Sequence, residues 1–83
     1  MLLAQGNRCK LCGGEFGKEK PLWPVVDHDH SSGVPRGILH NRCNSAIGFF
    51  KDSADLCEAA ANYLRDPGRY SSPFDGTRWK AVA

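Results

Sequence analysis

Apolar positions follow two regimes along this chain, a strand-like one up to about residue 40 and a helical one beyond it. Leu22-Trp23-Pro24-Val25-Val26 is a short apolar run of strand type that continues into Asp27-His28-Asp29-His30. Ser31-Ser32-Gly33 is a turn signal and Val34 to Leu39 a second short strand, which together predict a β-hairpin. Pro35 removes one ladder donor and favours an edge position. Upstream, Gly13-Gly14 and the stretch from Gly17 to Pro21 close a first knuckle and lead by a basic loop into the hairpin. From Asn41, an expected N-cap, the segment Cys43 to Phe50 has helical spacing with Ile47 and Phe50 on one side, completing a ββα unit. A second helix is expected after Ser53, with Asp55 in its first turn. Leu56, Ala60, Tyr63 and Leu64 fall on one face of that helix as a brace for the core, before Pro67-Gly68 stops it. The expected organisation is one domain over residues 1–68 and an irregular tail over 69–83 with Phe74 and Trp79 as anchors. Trp23, Phe49 and Phe50 are expected in the core.

Length changes this picture. A chain of 83 residues has room for one domain, and a core that small seldom supplies more than roughly 3 to 5 kcal/mol without a further tie. The ties available are the four cysteines Cys9, Cys12, Cys43 and Cys57, together with histidine. The first residues are too short for an apolar signal core and no run approaches a membrane span. A cytoplasmic location without membrane contact follows as the expectation, and there metal binding outranks disulfides.

The spacing specifies the tie. Cys9-Lys10-Leu11-Cys12 followed by Gly13-Gly14 has the form of a zinc knuckle, and His40-Asn41-Arg42-Cys43 repeats the two-residue gap. Tetrahedral Zn²⁺ takes four such donors at about 2.0 to 2.3 Å. Two knuckles at opposite ends of a hairpin supply them and tie its base, which assigns structural Zn²⁺ to Cys9, Cys12, His40 and Cys43. A redox role for Cys9 and Cys12 lacks a βαβ context, and recruiting His28 and His30 as the remaining ligands would leave His40 and Cys43 unexplained. Cys57, among alanines in the second helix, reads as a small buried apolar residue.

Charge adds little. The net value is +2, with seven Lys/Arg against four Asp/Glu in residues 1–51 and four against five in residues 52–83, so the hairpin half is the more basic one. Phosphate contacts are open to Arg36, Arg42, Lys18, Lys20 and Lys51, with Arg36 first because it lies in the hairpin beside the acidic run. Trp79 with Arg78 and Lys80 would either stack on DNA or pack as a tail.

The run Asp27-His28-Asp29-His30 concentrates ligands and bases at a strand end. Imidazole titrates near neutrality and suits a general base, while an Asp carboxylate and an Asn carbonyl suit hard Mg²⁺ or Mn²⁺. Asn44 is the matching amide, placed by its neighbour Cys43. Side chains alternate along a flat strand, so for Asp27 to hold a metal beside a phosphate served by His28, the strand must twist or bulge there.

These motifs, Cys-x-x-Cys, then Val26-Asp27-His28-Asp29-His30, then Gly33-Val34-Pro35-Arg36-Gly37-Ile38-Leu39, then Cys43-Asn44, resemble the phage recombination endonuclease VII family within the HNH or His-Me finger nucleases. The match runs from residue 9 to about residue 50, with the alanine-rich helix in keeping. The resemblance implies a small α+β fold, a zinc-stapled ββα-metal (His-Me finger) unit with an additional C-terminal helix. It implies a metal-dependent DNA endonuclease, phage-encoded and working in the host cytoplasm, whose partner is DNA; monomer and homodimer both remain open. By position it makes His28 the general base, Asp27 and Asn44 the ligands of catalytic Mg²⁺ or Mn²⁺, and His30 a supporting active-site residue. His40 stands where the family usually has a fourth cysteine. Ile47 stands where better-known members carry a glutamate, for which Asp29 is a substitute to consider. The long C-terminal region of junction-resolving members has no counterpart in these 83 residues, and whether the protein resolves branched DNA stays open. The competing function is a non-catalytic zinc-stabilised nucleic-acid-binding module, which has no need of Asp27, His28 and Asn44 together.

Overall fold

The expected hairpin forms. In the computed structural model, which describes residues 4–74, strand β1 (Pro24–His28) pairs antiparallel with β2 (Pro35–His40) in a two-stranded sheet. Helix α1 (Asn41–Phe49) follows β2 directly, and α2 (Ala54–Arg65) comes next. The chain divides into two units, residues 1–46 and 47–83.

In the first unit, the turn between the strands is closed by backbone bonds from Asp29 N to Val34 O and from Gly33 N to Asp29 O, both 2.8 Å. Gly33 takes φ +75°, a value that costs side-chain-bearing residues strain. Asp29 Oδ1 accepts from the N–H groups of Ser31 and Ser32, each at 2.9 Å, so its carboxylate holds the turn together. These bonds to Ser32 and Ser31 hold Asp29 below the usual carboxylate range. That commitment counts against Asp29 as a stand-in for a glutamate at position 47.

The sheet register is regular from Pro24 opposite His40 to Asp27 opposite Gly37, and then His28 faces Pro35. Arg36 is therefore the extra residue of a bulge in β2, at the step from Asp27 to His28. The outer edge of β2 is covered by the N-terminal segment. Ile38 O accepts from Lys10 N at 3.1 Å and from Gln5 Nε2 at 2.7 Å, while Ile38 N donates to Gln5 Oε1 at 3.1 Å. One side-chain amide thus satisfies both exposed backbone groups of a strand residue. A loop with a 3-10 turn at Lys20–Leu22 precedes β1. At the junction of sheet and helix, Asn41 N donates to Trp23 O at 2.7 Å. Asn41 is thus the first helical residue rather than the expected cap, because strand and helix join without a loop.

Among the described residues the set of buried side chains is small and half polar: the buried hydrophobic residues are Cys9 and Leu39, and the buried polar ones are Asp27 and His40. Trp23 is 46% exposed, with its indole N–H spent on Lys18 O at 2.7 Å, and so is not the core residue its size suggests.

In the second unit, Lys51 and Asp52 take left-handed φ values of 55° and 58° after α1, and Asp52 N caps Ile47 O at 3.0 Å. Ser53 caps α2 as expected, its hydroxyl accepting from Leu56 N at 3.2 Å. No side chain of α2 is fully buried, and Leu64 is 75% and Phe49 76% exposed. The core roles expected of Phe49 and of the α2 face are thus not met by burial: helical spacing reports which residues share a face, not what covers it. After Asp66, Tyr70 stacks edge-on against Tyr63 with ring centroids 5.8 Å apart. The roles considered for Arg78, Trp79 and Lys80 lie outside the described residues. No helix among the described residues is long and apolar enough to cross a membrane.

Candidate metal centre and active-site hairpin

Cys9 and Cys12 are aimed by a tight turn. Gly13 N donates to Cys9 O and Cys9 N to Gly14 O, both at 2.9 Å, and Gly13 reverses the chain at φ +78°. The knuckle is fastened to β2 through the Lys10 N bond to Ile38 O. Gly37 makes this approach feasible. A Cβ there would lie 2.6 Å from Lys10 Cδ, and the lysine stem instead crosses the glycine to donate from Nζ to Arg36 O at 2.8 Å.

His40 ends β2 and Cys43 sits in the first turn of α1, so the second ligand pair straddles the sheet-to-helix junction. The ligand atoms of Cys9, Cys12, His40 and Cys43 all lie within 4.8 Å of one another. Donors about 2.3 Å from a tetrahedral zinc are separated by about 3.8 Å, so the cluster suits the ion in size and in chemistry. His40 Nδ1 is 3.2 Å from Cys12 Sγ and 3.8 Å from Cys43 Sγ. On the other side of the ring, Nε2 is 2.6 Å from Glu15 O. A carbonyl only accepts, so Nε2 carries the hydrogen and the Nδ1 lone pair faces the thiols. Phe16 packs edge-on against the imidazole, with centroids 5.1 Å apart, and further restrains it.

Electrostatics prepares the thiols unequally. Burial opposes ionisation of Cys9, but the backbone N–H groups of Cys12, His40 and Leu11 together outweigh it and bring the thiol down to about 6. Cys12 is lowered chiefly by Gly14 N, 3.4 Å from its sulfur. Burial pushes Cys43 up to about 11, helped by the neighbouring sulfurs. The Glu15 carbonyl raises His40. Glu15, Phe16, Lys10 and Gln5 escaped the sequence reading. Glu15 acts through its backbone, which leaves no mark in sequence; Phe16, an apolar residue just past the knuckle glycines, was the one available signal.

The second constellation is arranged differently. Asp27 is 7% exposed, and both its oxygens are engaged by Arg36, Nε at 2.7 Å from Oδ2 and a terminal nitrogen at 2.9 Å from Oδ1. Asp27 pairs with Gly37 across the sheet, so in a regular ladder residue 36 would point to the opposite face; the bulge brings its guanidinium back to Asp27. The irregularity demanded from sequence is present, with the extra residue in the partner strand. Arg36 is thus joined to Asp27 rather than held out toward solvent as a simple phosphate contact. His28 and His30 are exposed, Asn44 is half-buried one residue after Cys43, and Arg42 is exposed in the first turn of α1. Among the described residues, the Asp27 to His30 run gathers no group of three or more His, Cys, Asp or Glu ligand atoms; the zinc-type quartet does.

Hairpin, helices and quartet define a small α+β protein with a Cys₃His cluster suited to structural zinc. The chain belongs to the recombination endonuclease VII family, whose profile matches residues 1–66. It is similar to the Gene 59 protein of Mycobacterium phage D29, 44% identical over 64 residues, and to the Gene 59 protein of Mycobacterium phage L5, 41% identical over 64 residues. Each alignment covers 76% of this chain and 38% of the relative, so the chain spans well under half the length of either. No solved structure matches the chain.

Proposed function

We propose that residues 1–68 form an HNH-type (His-Me finger) DNA endonuclease domain, phage-encoded and acting on DNA in the host cytoplasm. Cys9, Cys12, His40 and Cys43 hold structural zinc. Four protein donors leave that ion no open position, so its part is to fix the frame. The observation that carries the reading is the coincidence of the quartet with the hairpin: the same β2-to-α1 junction that supplies His40 and Cys43 carries Asn44, while Asp27 and His28 lie in β1 opposite the bulge. Family membership supports it.

In this reading the exposed His28 takes a proton from water as the water attacks phosphorus, and the phosphodiester bond to the leaving oxygen breaks. Asp27 and Asn44 offer hard oxygen donors, a set suited to Mg²⁺ or Mn²⁺ that keeps most of its waters. When bound there, the cation supplies stabilisation of the charge on phosphate and leaving oxygen. His30 supports His28 from the far end of the run, and Arg36 and Arg42 contact the DNA backbone. The second reading, a non-catalytic zinc-stabilised nucleic-acid-binding module, draws on the engagement of both Asp27 oxygens by Arg36.

Nicking of supercoiled plasmid with Mg²⁺ or Mn²⁺ separates the two. The His28→Ala protein should lose activity by about 100-fold or more while retaining zinc and fold, since removing a general base costs on that order. Equal background nicking by both proteins would leave the non-catalytic module standing.

A further inference from the structure

The Asp27–Arg36 pair does more than fill space in the hairpin. Asp27 is buried, and a buried carboxylate requires a partner; the bulge supplies one by returning the Arg36 side chain to its face. The guanidinium takes one bond on each oxygen, in the fork geometry that arginine also presents to a phosphate. With one hydrogen bond on each oxygen, the carboxylate keeps two lone-pair positions. A divalent cation using them would sit within a few ångströms of a fixed positive charge in a partly buried site, where repulsion is poorly screened.

We infer that Arg36 is an internal cation that competes with the catalytic metal for Asp27, and that a DNA phosphate relieves the competition by accepting the guanidinium, so that metal and DNA load together. The inference rests on Asp27 being the metal ligand proposed above. Arg36 then has two alternative anionic partners of matching geometry, and its transfer from one to the other couples the two binding events. By linkage the coupling is reciprocal: DNA tightens metal binding by the factor with which metal tightens DNA binding.

The test is Mn²⁺ binding followed by electron paramagnetic resonance on the zinc-loaded full chain, in the His28→Ala background so that DNA stays intact. A short duplex should tighten Mn²⁺ binding by about tenfold, a typical coupling. Arg36→Gln should bind Mn²⁺ about tenfold more tightly without DNA, and the further gain on adding the duplex should shrink to within about twofold. Zinc content and circular dichroism confirm that the variant is folded. Should Arg36→Gln not fold, Arg36→Lys keeps the charge and loses the fork, and should show an intermediate gain. Unchanged or weaker Mn²⁺ binding in the folded variant, with binding still abolished by Asp27→Asn, would overturn the competition and leave Asp27 as ligand. Mn²⁺ binding indifferent to Asp27→Asn would remove the metal assignment itself, and the inference with it.

Discussion

His40 donates through Nε2 to the carbonyl oxygen of Glu15 at 2.6 Å, and that bond decides which ring nitrogen faces the three cysteines. The first ligand pair thereby orients the second, because Glu15 follows the Cys9–Cys12 knuckle directly. The imidazole is clamped between this carbonyl, the Phe16 ring and Gly14, where a Cβ would approach Cε1 to 3.2 Å.

Gly14→Ala tests that clamp. Gly14 does not occupy a left-handed conformation, so alanine adds the steric contact without backbone strain. Displacing the ring should weaken zinc binding by about tenfold, as loss of a supporting interaction around a metal typically does. Competition against a chromophoric chelator measures it, and unchanged affinity would mean that the ring is not fixed from this side.

Metal removal should unfold the first unit. Among its described residues the buried hydrophobic ones are Cys9 and Leu39, far less than an independent core requires, whereas structural zinc contributes roughly 10 kcal/mol or more to folding in small domains. Metal analysis should find one zinc per chain by the four-ligand geometry. Strong chelators or Cys12→Ala should abolish the hairpin's circular dichroism and amide dispersion, while Cys57→Ala should retain the metal. Native-like spectra in folded, metal-free protein would overturn this.

Zinc affinity should fall with acidification, in stages. Within the folded arrangement Cys43, pushed up to about 11, must release a proton on binding at neutral pH, whereas Cys9, brought down to about 6, is already a thiolate; from the unfolded metal-free chain every thiol must release one. Each required proton release gives about a tenfold loss of affinity per pH unit. Protonation of His40, which is raised, steepens the slope, and below about 6 Cys9 adds its own proton. For the folded metal-free arrangement relative to the unfolded chain the signs differ. The depressed Cys9 favours folding above its unfolded value of about 9 and loses that contribution as pH falls through 6. The elevated Cys43 favours folding below 9 and loses that contribution as pH rises through 11. Chelator competition from pH 5 to about pH 8 follows the first effect; a flat profile would contradict proton release by the thiols on binding.

Asp29→Ala should destabilise the hairpin turn by removing the acceptor for Ser31 and Ser32 N–H, and Asn should restore it through its amide oxygen. Because Asp29 is held below the usual carboxylate range, its contribution is present above the unfolded value and is lost as pH falls through the lower folded one. Thermal melts of the zinc-loaded protein at neutral and acidic pH measure both; equal melting of wild type and Asp29→Ala would deny Asp29 its place in the turn.

Ligand spacing, the turn signal at Ser31 to Gly33 and the Ser53 cap are local, and they are legible in the sequence alone. A zinc donor, a turn residue and a helix cap act through their own side chains at short sequence distance. The sequence by itself therefore determined the quartet Cys9, Cys12, His40 and Cys43, the hairpin and both helices. Tertiary structure decided what depends on cross-strand register and backbone atoms. The bulge at Arg36 joined it to Asp27, the Asx-type turn engaged Asp29 Oδ1 with the backbone of Ser31 and Ser32, and the Glu15 carbonyl chose the His40 nitrogen. A carbonyl oxygen is the same in every residue, and a one-residue shift in register reverses which face a side chain takes, so neither leaves a signature in the order of amino acids.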